Sequence, residues 1–172
     1  MIPARLTAVI ALLLALSATA GQAPAARQPS PAAVAARVID LVNQARSQGR
    51  RCGRESFPST APLIAAPPLQ AAAEAHARDM AAREYFAHRG ADGSEPRDRI
   101  RGAGYESRLS GENIAFAPES AEEVVAGWLA SPGHCANIMD ARFRHTGVGL
   151  ATGRTNGQIY WVQTFGAPRT GG

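Results

Sequence analysis

The chain of 172 residues carries 18 basic and 14 acidic side chains, for a formal charge of +4, and every basic residue is arginine. The absence of lysine excludes lysine Schiff-base chemistry, a P-loop and a Ser-Lys hydrolase, each of which needs that amine. The length suits one domain that buries its own core.

Arg5 precedes an apolar run from Leu6 to Leu16, and Ala18-Thr19-Ala20 offers the small-x-small pattern of a signal-peptidase site. Such a run is shorter than the roughly 20 residues that span a bilayer, so residues 1–20 read as an export signal. No cysteine stands at the cleavage point to support a lipid anchor. The mature protein is expected to be secreted or periplasmic. Membrane contact is expected only through the signal, with no nucleic-acid partner and a monomeric state.

Residues 21–32 read as a flexible leader containing Gly21, Pro24, Pro29 and Pro31. Ser30-Pro31 supplies a cap and a first-turn proline. Val34, Val38, Leu41, Val42 and Ala45 then follow at helical spacing as far as Gly49. Residues 50–68 show no sustained period and read as a loop. Pro67-Pro68 opens a second helix with an apolar stripe of Leu69, Ala73, His76 and Met80, which makes His76 a hydrogen-bonded core residue. This helix is expected to stop near Tyr85-Phe86, leaving His88 just beyond it.

Residues 90–104 read as loop with a short helical piece at Arg97–Arg101. Gly111-Glu112-Asn113 reads as a turn or the end of an element. Ser120-Ala121-Glu122-Glu123 is a capping box for a helix bearing Val124, Val125, Trp128 and Leu129. Ser131-Pro132-Gly133 is expected to end that helix before His134. Two strands, 147–152 and 159–165, flank Gly153, Asn156 and Gly157 as a hairpin. Helices early and strands late make an α+β domain over 33–168, with a tail at 169–172.

Cys52 and Cys135 are the two cysteines. In an oxidising compartment an even count favours a disulfide, which would stabilise by roughly 4 kcal/mol through chain entropy. The alternative is a Cys135-His134 nucleophile pair. Two basic clusters, Arg50/Arg51/Arg54 and Arg97/Arg99/Arg101, read as solvated faces that can also attract anionic surfaces.

By residue type alone, His88, His134 and Glu112 form the ligand set of an open zinc site, whose fourth position holds a water activated for hydrolysis. The competing reading is a polar network that hydrogen-bonds internally and holds the loops. His145 reads as a surface residue. Ser131 as an acyl-transfer nucleophile lacks the Gly-x-Ser-x-Gly elbow.

Tyr85-Phe86-Ala87-His88, Gly111-Glu112-Asn113-Ile114-Ala115, Ser131-Pro132-Gly133-His134, Trp128 and the run Tyr160–Gly166 are all present. Together they resemble the CAP domain of cysteine-rich secretory, antigen 5 and pathogenesis-related 1 proteins, in its bacterial branch, over residues 34–165. The resemblance implies an α/β/α sandwich with a central cleft of two histidines and two acidic residues. His88, Glu112 and His134 match three of the four, and Ser131 stands where many members carry the second acid. The expected cleft is thus His88, Glu112, Asn113, Ser131 and His134. Zinc, if bound, would use His88, Glu112 and His134, and no other cofactor is expected. The implied function is a non-enzymatic extracellular module binding a lipid-like, sterol-like or cell-envelope ligand. The alternative is a zinc-dependent hydrolase of peptide or envelope material with Glu112 as base.

Overall fold

The computed structural model describes residues 29–169. The expected export signal at 1–20, most of the expected leader and the last three residues of the expected tail lie outside the described residues. Ser30 caps α1 (Pro31–Gln48) by accepting from the Ala33 amide, and Gly49 ends it at φ 66°. α1 presents Val38 and Val42, both fully buried, to the core. The segment read as loop contains three short strands: β1 (Arg50–Cys52) pairs with β2 (Glu55–Phe57), and β3 (Ile64–Ala65) joins the main sheet.

α2 (Pro67–Arg83) buries the expected stripe. α3 (Pro96–Gly102) is the expected short helical piece, capped reciprocally by Glu95 and Asp98. β4 (Ser107–Phe116) is a ten-residue strand whose middle holds Gly111-Glu112-Asn113, where a turn or the end of an element was expected. α4 (Ala121–Ala130) starts at Ser120, whose hydroxyl accepts from Glu123 N–H. The Glu123 carboxylate instead accepts from Glu119 N–H, so the box is half formed. α5 (Pro132–Met139) follows at once, and β5 (His145–Thr152) and β6 (Ile159–Pro168) form the terminal hairpin.

The main sheet runs β3-β5-β6-β4, parallel between β3 and β5 and antiparallel elsewhere. Alternation along β6 divides the core in two. Tyr160 and Val162 pack with Ala73, Ala77 and Met80 of α2. Trp161 and Phe165 pack with Val38, Val42, Val124 and Trp128 on the face of α1, α4 and α5. The α/β/α sandwich is therefore present, and Trp128, Tyr160, Trp161 and Phe165 are core residues.

Three constraints hold the layers. A Cβ on Gly147 would sit 2.1 Å from Gln70 N, and one on Gly149 would sit 2.4 Å from the Ala73 carbonyl carbon. These glycines bring the α2 backbone directly onto β5. The Cys52–Cys135 disulfide ties the β1–β2 hairpin to α5 across 83 residues. Arg46 is fully buried and donates to the carbonyls of Ala61 (2.7 Å), Ile138 (2.6 Å), Asp140 (3.1 Å) and Phe143 (3.3 Å). Burial, then the charge of Arg144, pulls its pKa down to about 10, against the opposing effect of Asp140. One guanidinium thus satisfies four carbonyls of otherwise irregular backbone.

His76 is buried at 1% exposure, and its Nε2–H donates to the Ala87 carbonyl at 2.9 Å. Burial lowers its pKa below 6.5, and Arg99 adds to that, while Glu112, the Ala87 bond and Asp79 act in the opposite direction.

Two outcomes follow from this packing. Gly147→Ala should lose about 1–3 kcal/mol by overpacking against α2, read as a lower urea midpoint; wild-type stability would show that α2 can move away freely. The unfolded chain takes up the His76 proton first as pH falls, so stability is complete above about pH 6.5 and declines below it. In His76→Gln, the loss of stability as pH falls below about 6.5 should shrink; an undiminished loss would assign the acid sensitivity elsewhere.

Candidate functional site

β4 is the edge strand next to β6, with Glu112 opposite Thr164 and Asn113 opposite Gln163. Neighbouring residues on a strand point to opposite faces. Ile114 packs in the α2 cluster, so Glu112, two residues away, shares that face. Asn113 points the other way, and its Nδ2 donates to the His134 carbonyl at 3.2 Å. A turn would have allowed both side chains into one hollow; a paired strand separates them. Gly111 allows close packing from the far side, where a Cβ would meet the Phe143 ring at 2.9 Å.

The Glu112 side chain is only 2% exposed, and both of its oxygens are engaged. Oε1 lies 2.8 Å from His88 Nδ1. Oε2 accepts from Arg99 Nη2 at 2.8 Å. The His88 side chain is 49% exposed, so one edge of the imidazole meets solvent while the other meets the carboxylate.

The loop carrying His88 is fixed at several points. α2 ends where Glu84 adopts a left-handed conformation at φ 53°. The Tyr85 hydroxyl donates to Asp79 and accepts from the Ala91 amide. Burial, followed by the Asp79 bond, pushes the Tyr85 pKa up to about 12. His76 holds the Ala87 carbonyl, and Arg99 Nη2 holds the His88 carbonyl at 2.8 Å. Arg99 Nη1 also reaches the Ser94 carbonyl at 2.9 Å. Arg99 thus joins the loop, α3 and β4, with its side chain only 12% exposed.

His134 departs from expectation. It lies in the first turn of α5, which begins where a stop was expected, because Pro132 occupies a first-turn position that needs no amide. Burial, then the charge of His88, lowers the His134 pKa. Ser131 is the junction of α4 and α5: its amide donates to Trp128 O and its carbonyl accepts from Cys135 N–H, while its hydroxyl caps neither helix. Asn137 Nδ2 donates to Asn113 Oδ1 at 2.9 Å and to the Glu112 carbonyl at 3.3 Å. His145 is half-buried, with Nδ1 2.7 Å from the Tyr105 hydroxyl.

Reading by residue type missed Arg99 and Asn137. Arg99 was grouped with Arg97 and Arg101, yet a helix turns by about 100° per residue. That separates residue 99 from the 97/101 face, a signal the short helix already carried. Asn137 has no comparable signal.

The cleft beside Glu112 has a volume of about 590 Å³, with His88, Glu95, Pro96, Arg97 and Ser110 on its walls. The donor set does not fit a three-ligand zinc site. The Glu112 oxygens already hold an imidazole N–H and a guanidinium, so the charge of Arg99 lies 2.8 Å from the carboxylate that would have to bind the cation. Among the described residues, no group of three His, Cys, Asp or Glu side chains is arranged to hold a metal. The geometry can orient a polar ligand at the open edge of His88 over a neutralised carboxylate.

This architecture is shared with known proteins. The chain is 33% identical over 157 residues to the uncharacterised protein YkwD of Bacillus subtilis, covering 86% of this chain and 56% of YkwD. A 1.5 Å crystal structure of an extracellular SCP-domain protein from Bacillus anthracis superposes at TM-score 0.66 and 24% identity, over 82% of this chain and 45% of that one. An outer surface protein of Borrelia burgdorferi superposes at TM-score 0.59 and 23% identity, over 64% of this chain and 80% of that one. The chain spans about half the length of YkwD and of the Bacillus anthracis protein. The model of the cysteine-rich secretory protein family, CAP, matches residues 39–165, and this chain belongs to that family.

Proposed function

We propose that the protein is an exported, non-enzymatic binding module whose cleft at His88 and Glu112 holds a polar cell-envelope ligand. The observation that carries this reading is the state of Glu112. A general base must reach the proton it removes, and here the carboxylate is only 2% exposed, with one oxygen held by His88 and the other by Arg99. Removing either partner would leave one buried oxygen without its hydrogen bond. The group therefore supports the cleft wall and orients His88, a positioning role rather than a chemical one.

The hydrogen-bonding side chains His88, Glu95, Arg97 and Ser110 on the cleft wall favour an envelope component over a sterol or fatty acid. Export is supported by the sequence reading of residues 1–20 and by a disulfide, which persists in oxidising compartments. No helix among the described residues is long and apolar enough to cross a membrane.

Two measurements test this reading on the oxidised protein. A calorimetric zinc titration should give no stoichiometric heat. About one equivalent of binding that vanishes in His134→Ala would instead favour the metal hydrolase. A double-mutant cycle of Glu112→Gln and Arg99→Met should give a coupling of about 2–3 kcal/mol in thermal or urea unfolding, within the range for contacting charged groups. A coupling near zero would mean that the pair does not support the cleft.

A further inference from the structure

The arginine cluster of α3 divides in the fold. Arg99 turns inward to Glu112, whereas Arg97 and Arg101, one turn apart, are exposed. They line a groove of about 230 Å³ together with Arg108, Arg169, Ser110 and Glu106. The groove forms where α3, the start of β4 and the end of β6 converge, with Ser107 opposite Pro168. The Arg169 amide donates to the Glu106 carbonyl at 3.3 Å, which seats the terminal arginine beside the strand.

Four guanidinium groups thus surround one hollow that contains a single carboxylate. Arg101 is partly neutralised by Asp98 at 3.1 Å. Among the described residues, Arg97, Arg108 and Arg169 form no salt bridge. Like charges gathered along one groove repel one another, and a bound anion relieves the repulsion. Guanidinium forks match phosphate oxygens in bidentate pairs, which selects phosphate over a compact monovalent anion.

The groove adjoins the cleft. Arg97 and Ser110 form part of the wall of both. An extended ligand therefore meets arginines in one compartment and the polar His88 cleft in the next. A membrane surface fits less well, because a membrane-binding face sets apolar side chains beside its basic ones. The exposed large apolar residues Ile64, Phe86 and Phe116 are not among the groove walls.

We propose that the arginine groove binds the phosphate groups of a polyol-phosphodiester chain whose uncharged segment enters the His88 cleft. The placement of that segment rests on the binding-module reading above; the phosphate site stands on the arginines alone.

The test is fluorescence anisotropy of a labelled synthetic glycerol-phosphate hexamer with the oxidised full-length protein, in low and moderate salt. Binding is expected to weaken with salt. In Arg97→Gln/Arg108→Gln it should weaken roughly tenfold or more, as expected for lost charge-assisted bonds. All four arginines are exposed, so this variant should keep the wild-type circular dichroism and melting temperature. An unaltered affinity in the variant, absence of binding at low salt, or equal competition by inorganic phosphate at matched phosphate concentration would overturn the proposal. So would binding to phosphatidylglycerol vesicles with no binding to the hexamer. His88→Ala separates the two compartments. Weaker hexamer binding there supports the continuous path, whereas unchanged binding alongside loss in the arginine variant keeps the groove and contradicts the cleft.

Discussion

The structure around the cleft depends on one buried carboxylate. Glu112 sits on an edge strand, almost wholly removed from water, where an unpaired charge would cost several kcal/mol or shift to the neutral form. It remains there because an imidazole N–H and a guanidinium each take one oxygen. Those partners come from two separate segments, so satisfying one side chain sets the relative position of β4, α3 and the loop after α2. Arg99 then extends the constraint by holding the His88 and Ser94 carbonyls.

This polar knot needs a rigid frame, and the frame is built by close approach. Gly147 and Gly149 let the α2 backbone lie against β5, which fixes where α2 ends and hence where the His88 loop begins. On the opposite face, Arg46 gathers four carbonyls and the disulfide pins α5 to the β1–β2 hairpin. α5 in turn carries His134 and Asn137 up to β4, where Asn137 bonds Asn113 and the Glu112 carbonyl. The cleft is therefore braced from both sides of the sheet, while each oxygen of its buried carboxylate holds a partner. The proposed binding role rests on this arrangement.

Legibility from sequence varied with how strongly each segment shows a period. α1 and α2 pair a clear apolar stripe with proline at the first turn, and both were readable nearly to the residue. The β5–β6 hairpin was readable from its turn glycines and alternating apolar residues. β4 was not, because Glu112 and Asn113 are buried polar residues on opposite faces, which erases the alternation that marks a strand. α5 was hidden by Pro132-Gly133, which reads as a stop yet starts a helix when proline is in the first turn. The short strands between 50 and 65 are held by pairing with one another and with β5, a tertiary effect with no local pattern. His88, Glu112 and His134 were singled out by motif. Arg99 was obscured by two neighbours of the same type that face a different way.

The central claim, that the cleft carboxylate is spent in holding His88, is tested most directly by nitrogen-15 NMR of the His88 ring in the oxidised protein above its titration range. A carboxylate oxygen can only accept, so the account predicts a neutral imidazole with its proton on Nδ1 and a bare Nε2 facing solvent. In Glu112→Gln that preference should relax toward the mixture seen in free imidazoles. A wild-type ring protonated on Nε2, with Nδ1 bare, would contradict the account and return Glu112 to the role of an available base.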